Sequence, residues 1–156
     1  MQAKLRLLGL LFVASTFVPA ALAGHTHVPN SSWKLNVGAS DFGTGPSMKA
    51  DLYVIHTDSE KWLTFDDTTV DGDGKTWKIS WSGPQDGSPR PIKGMPGATY
   101  SSKTADDSAH FAFPDGTTQD TTLIMSADKK KVTLSVDGKT KDGKSFHQAL
   151  VYDRVK

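Results

Sequence analysis

Six Asp-Gly pairs divide this chain: Asp71-Gly72, Asp73-Gly74, Asp86-Gly87, Asp115-Gly116, Asp137-Gly138 and Asp142-Gly143. Tight hairpin turns require positive φ, which Gly adopts freely and Asp tolerates, so Asp-Gly is among the strongest short-range hairpin signals. Between most of the pairs lie short runs rich in Val, Ile, Thr, Phe, Tyr and Trp, the residues that suit a pleated, half-buried surface. A chain punctuated in this way folds back on itself repeatedly, as an antiparallel up-and-down β-structure.

The periodicity agrees. Trp77, Ile79 and Trp81 alternate with Thr76, Lys78 and Ser80, which makes a strand with one aromatic and one polar face. Val132, Leu134 and Val136 alternate with Lys131, Thr133 and Ser135 in the same way. Residues 52–56 and 62–65 are apolar on both faces, as a closed or covered sheet permits. Further strands are expected at 33–37, 99–103, 110–113, 121–126 and 146–155, with residues 66–74 as a connection. About nine strands result, the spacing of a barrel or sandwich. Closure into a barrel removes the two exposed edges that an open sheet would leave, and leaves an interior wide enough for a small ligand. Two stretches interrupt the rhythm. Residues 38–48 suit a short turn or a 3₁₀ segment, and residues 83–97, with four prolines and four glycines, suit a long connection or a lid.

The first 23 residues read as an export signal. Lys4 and Arg6 form a positive n-region, residues 7–18 an apolar core, and Ala21-Leu22-Ala23 a cleavage site with small residues at −3 and −1. That core is shorter than the ~20 residues a membrane helix needs, so the mature form is expected to have no membrane span. The expected organisation is a signal peptide at 1–23, a flexible lead-in at 24–30 and one barrel domain at 31–156, in a secreted or periplasmic protein. Removal of Lys4 and Arg6 leaves 16 basic against 17 acidic residues, a net charge of −1. This balance gives no reason to expect a nucleic-acid partner. The chain has no Cys, which removes disulfides, thiolate metal sites and Cys nucleophiles.

Several spaced segments carry a resemblance. They are Ser31-Ser32-Trp33-Lys34-Leu35-Asn36, Ser40-Asp41-Phe42-Gly43, Gly45-Pro46, Asp86-Gly87, Pro91-Ile92-Lys93-Gly94, Met125-Ser126-Ala127-Asp128-Lys129 and Val151-Tyr152-Asp153-Arg154. Together they resemble a family of small secreted bacterial proteins with a lipocalin-like β-barrel and no settled activity. At the level of fold the chain is similar to the calycin barrels, which commonly set a Trp on the first strand against a basic residue near the end of the last. The resemblance implies that Trp33 and Arg154 play these parts and close one barrel mouth by cation–π packing. Lipocalins usually carry Gly two residues before that Trp, where this chain has Ser31.

No residue set names a reaction or calls for a cofactor. Asp71-Gly72-Asp73-Gly74 fails as a calcium loop, because the register that places Gly74 at position six puts Ser80 where Glu is needed. The adjacent pairs Asp66-Asp67 and Asp106-Asp107 would face opposite sides of a strand, so they are not a glycosidase pair. Cleavage after Ala23 would leave Gly24-His25-Thr26-His27, an end able to chelate Cu(II) through its amine and His25, with His27 close by. His56, His110 and His147 lie in three expected strands and would meet in a metal pocket only if their faces all turned inward.

The aromatics are more informative. Trp62, Phe65, Trp77, Trp81, Tyr100, Phe111 and Phe113 spread over at least four expected strands. Apolar walls with a few polar groups are the usual form of a small-molecule site. The reading that follows is an exported, non-enzymatic barrel that binds a small apolar or amphipathic molecule among Trp77, Trp81, Tyr100 and Phe111, in a modest cavity with the 83–97 loop near its mouth. Ala112 and Ala149 are the expected small residues opposite the tryptophans. Two alternatives stay open: a copper- or zinc-handling protein, and a solid-packed structural or interaction module.

Overall fold

The computed structural model describes residues 26–156, so the expected signal peptide and His25 lie outside the described residues. Ten antiparallel strands form one sheet: β1 (Ser31–Leu35), β2 (Met48–Asp58), β3 (Trp62–Asp71), β4 (Thr76–Pro84), β5 (Arg90–Pro91), β6 (Thr99–Lys103), β7 (Ser108–Ala112), β8 (Thr118–Met125), β9 (Lys131–Lys139) and β10 (Ser145–Arg154). Their order is β4-β3-β2-β1-β10-β9-β8-β7-β6-β5. Each strand pairs with its sequence neighbour except β4 with β5, and β1 pairs with β10 to join the two ends of the chain. This is an up-and-down barrel whose seam lies between β4 and β5.

The Pro/Gly stretch at 83–97 makes that seam. It contains β5, the strand missing from the expected nine, because a two-residue strand of Arg90 and Pro91 has no periodicity to read. Just beyond it, Ser80 and Lys93 exchange two backbone hydrogen bonds of 3.0 Å, which ties β4 to the far edge. Ile92 and Ala98 are buried behind this bridge. Gly94 follows with φ +91°, and a Cβ added there would stand 2.2 Å from the Lys78 carbonyl oxygen. The segment thus staples the seam at this bridge, and only Gln85 and Met95 from it line the interior. A 3₁₀ turn at Val37–Ala39 occupies the start of the other interruption.

The expected connection at 66–74 is shorter than the sequence suggests. β3 continues to Asp71, pairing Asp67 with Tyr53 and Ile79, and Thr69 with Asp51 and Trp77. Its inward residues there are Asp67, Thr69 and Asp71, which line the interior. A polar inner face carries no apolar alternation, so this half of the strand is invisible to a hydrophobic pattern. Two irregularities in β2, between Met48 and Ala50 and between Ile55 and Thr57, break the strict alternation. They allow Met48, Asp51, Tyr53, Ile55 and Asp58 all to line the interior.

The core gathers Trp33, Leu35, Ile55, Leu63, Phe65, Trp81, Val132, Val136, Phe146, Leu150 and Tyr152. Burying one large apolar side chain contributes ~1.5–3 kcal/mol, so this set supplies the barrel's main driving force without disulfides. Trp33 is buried, pairs in register with Arg154, and has the guanidinium 5.7 Å from its ring centre. Ser31 is fully buried; its hydroxyl accepts the Trp33 indole N–H at 2.9 Å and donates to the Val28 carbonyl.

Residues 26–30, the described part of the lead-in, pack against one end of the barrel. Val28 is buried and its N–H donates to Asp58 Oδ2 at 2.8 Å, while His27 Nδ1 lies 3.1 Å from Asp58 Oδ1. Gln85 Nε2 donates to the same carboxylate at 3.2 Å, and Gln85 Oε1 accepts the Ser102 hydroxyl at 2.8 Å. Buried polar groups demand partners, and this network ties β2, β6, the seam and the lead-in together at one barrel end.

Candidate functional site

The barrel encloses a cavity of about 650 Å³. That volume falls in the ~300–1,000 Å³ range of small-molecule sites, so the interior is not packed solid. Aromatic and aliphatic side chains make most of the wall. Tyr53 and Ile79 come from β2 and β4, Tyr100 and Phe111 from β6 and β7, and Leu123 and Leu134 from β8 and β9.

Three of the four aromatic residues selected from sequence come together. Trp81 meets Tyr100 edge-on at 5.0 Å between ring centres, and Tyr100 meets Phe111 at 6.3 Å. Phe65 stacks beside Trp81 at 6.2 Å, and Phe113 continues the chain from Phe111 at 4.2 Å. Tyr100 and Phe111 line the cavity, whereas Trp81, only 3 % exposed, stands behind Tyr100 in the core and is not a wall residue. Its indole N–H is buried with no hydrogen-bond partner. Trp77 stands apart, half-buried near the β3–β4 hairpin, and it does line the cavity. Its N–H donates to Asp71 Oδ2 at 3.1 Å, and the Lys75 ammonium lies 3.6 Å from its ring centre.

Ala112 and Ala149 are not the small residues that leave room. The inward residues of β7 are Ala109 and Phe111, and those of β10 are Gln148, Leu150 and Tyr152. Strict alternation places Ala112 and Ala149 on the outer face. Ala109, one residue before His110, is a small side chain on the wall, beside Ser108.

The polar part of the wall was missed by sequence reasoning. Asp51 of β2 and Asp67 of β3 both line the cavity, and their carboxyl groups hydrogen-bond to each other. Asp51 is 5 % exposed. It accepts the Thr69 hydroxyl at 2.9 Å and the Tyr152 hydroxyl at 2.6 Å, with Asp67 as a third donor. Two carboxyls in contact need a proton between them, and three donors to Asp51 leave that proton on Asp67. Burial, above all, holds the Asp67 carboxyl well above the usual carboxylate range, and the neighbouring Asp51 pushes it further. Tyr53 and Tyr100 hydrogen-bond to each other nearby, and burial raises both phenols, that of Tyr100 to about 12. They therefore act as neutral hydrogen-bonding groups at physiological pH. The signal that could have found the pair is the Asp-x-Thr-x-Asp run of β3, period-2 polarity ending at a turn.

The three strand histidines, His56, His110 and His147, face outward. His56 Nε2 is 2.8 Å from Asp66, His110 Nδ1 2.7 Å from Asp120, and His147 Nδ1 2.9 Å from Asp137. The possibility of three imidazoles meeting inside the barrel is thereby removed, since each strand's opposite face supplies the core. His110, Asp120, Asp137 and His147 instead form one row across β7, β8, β9 and β10 on the outer surface. Among the described residues no three His, Cys, Asp or Glu side chains gather to hold a metal ion. Asp66 and Asp67 do take opposite faces, as their adjacency requires: Asp66 meets His56 outside and Asp67 meets Asp51 inside.

No protein-family model matches the chain, and no curated protein matches it. The functional reading therefore rests on the cavity and its side chains.

Proposed function

We propose that this is an exported, non-enzymatic barrel, related to the calycins, that binds a small amphipathic molecule in its interior. The observation that carries the reading is the cavity of about 650 Å³, with aromatic walls and one hydrogen-bonding group formed by Asp51, Asp67, Thr69 and Tyr152. Apolar area supplies affinity and a few convergent polar groups fix orientation, which is the usual division of labour in such sites. The Trp33–Arg154 pairing supports kinship with the calycins, and residues 1–23 support export.

Native mass spectrometry of the protein recovered from the exported fraction tests this reading. The expected result is a chain beginning at Gly24 that carries the excess mass of one small organic molecule, lost on denaturation. A chain that still begins at Met1, or one that never retains or takes up a small molecule, contradicts it.

A further inference from the structure

Resting on the reading of the cavity as a binding site, we infer that its ligand carries a cationic amine on an apolar body, and that Asp51 and Asp67 receive the ammonium group. Three observations converge. The first is the acidic make-up of the wall. Asp51, Asp58, Asp67, Asp71, Asp107 and Asp115 line the cavity, and Lys103 is the one basic lining residue among the described residues. Lys103 stands at the Gln85 end, bridged to Asp86 and with its ammonium 3.4 Å from Asp106.

The second is the arrangement of the Asp51–Asp67 pair. The donors on Asp51 are hydroxyls and a carboxyl, all neutral, and its carboxyl group faces an apolar space in which, among the described residues, no Lys or Arg side chain pairs with it. A cation entering that space would gain charge-assisted hydrogen bonds, which are roughly twice as strong as neutral ones. An anion such as a fatty acid would meet like charge in a low-dielectric interior, where repulsion is large. The third is the aromatic content of the wall. Tyr53, Tyr100, Trp77, Phe111 and Phe113 present ring faces and edges, and ring faces favour cations. The rim already displays that contact, with the Lys75 ammonium on Trp77 beside Asp71.

Proton linkage gives the inference a second signature. The groups that face Asp67 are Asp51 and Tyr53 of β2, Thr69 of its own strand, Tyr152 of β10 and Tyr100 of β6, with Asp58 further along β2. All but the aspartates are neutral at physiological pH. An ammonium placed between the carboxyls favours loss of the Asp67 proton, so binding releases up to one proton and tightens as pH rises.

Isothermal titration with octylamine, octan-1-ol and octanoate tests the inference, because the three share one apolar body and differ in the head group. At neutral pH octylamine is expected to bind about tenfold more tightly than octan-1-ol, with octanoate weakest. Its heat is expected to depend on buffer ionisation enthalpy in the sense of proton release. In Asp67→Asn, which keeps the shape and a donor toward Asp51, the amine preference is expected to fall several-fold and the proton release to vanish. Asp51→Asn supplies a second variant. Equal binding of octylamine and octan-1-ol by the unaltered protein overturns the amine inference. So does a preference and proton release that persist in both variants. The uncharged probe N-phenyl-1-naphthylamine separates the two failures: if it binds while the amine preference is absent, the cavity reading stands and only the amine is wrong.

Discussion

Arg154 covers Trp33: the two are cross-strand partners on β10 and β1, and the guanidinium lies 5.7 Å from the indole centre. Because these strands carry the two ends of the barrel domain, the contact fastens the point where the chain meets itself. Arg154 is exposed, so its contribution belongs at the lower end of the cation–π range. Arg154→Ala is expected to cost about 0.5–1 kcal/mol in urea unfolding. Arg154→Lys should recover part of that loss, whereas equal stability of the Ala variant would show that the contact contributes nothing.

Ser31 makes a larger difference than its size suggests. Its hydroxyl is the partner of both the Trp33 N–H and the Val28 carbonyl in a fully buried position. Ser31→Ala leaves the indole donor unsatisfied, at a cost of about 1–3 kcal/mol. The Gly that lipocalins usually carry at this place is expected to be still less favourable here, since it also loosens the strand. Chemical denaturation of both variants decides it, and a loss under about 0.5 kcal/mol would contradict the bridging role.

The seam should yield where Gly94 is altered. Its φ of +91° and the Lys78 carbonyl oxygen, which would stand 2.2 Å from an added Cβ, leave no room for a side chain. Gly94→Ala is expected to destabilise by about 2 kcal/mol or more through strain and clash. Amide exchange should quicken first at Ser80 and Lys93, whose mutual hydrogen bonds close the barrel. Exchange that quickens uniformly over all ten strands would mean the seam is not the weak point.

The buried carboxyl pair predicts an inverted pH response. The folded-state pKa of Asp67 lies above its unfolded value, so the folded chain binds the proton more tightly. The stability gained from that proton is full below about pH 4 and is lost as pH rises toward the folded pKa. Asp67→Asn holds a neutral group there at every pH, and should be more stable than the parent at pH 8 by about 1–3 kcal/mol. Melting curves across pH 5 to 9 are expected to slope downward with pH in the parent and to flatten in the variant. A parent whose stability rises with pH across this window would show that Asp67 is ionised in the fold.

Much of the fold is legible in the sequence because it rests on local chemistry. Asp115-Gly116 and Asp142-Gly143 sit in hairpin turns with positive-φ glycines, and Trp77, Ile79 and Trp81 take the inner face that their polar alternates leave. The Trp33–Arg154 contact followed from resemblance, although the two residues are separated by nearly the whole domain. What escaped were features set by long-range register. β5 exists only because β6 lies beside it, and Trp81 is hidden behind Tyr100 by packing that no single strand reveals. The Asp51–Asp67 pair escaped for a further reason: inward polar residues look like a loop, and their partnership depends on pairing across β2 and β3. The most chemically informative part of the wall was thus the part least visible to hydrophobic pattern.

Titration of tryptophan emission with N-phenyl-1-naphthylamine tests most directly whether the interior is a binding site. Saturable quenching with one probe per barrel is expected. Trp77→Ala is expected to weaken binding several-fold, since Trp77 lines the cavity, while Trp81→Ala acts mainly through stability, since Trp81 lies behind the wall. Quenching that never saturates, or binding that survives Trp77→Ala unchanged, would contradict the account.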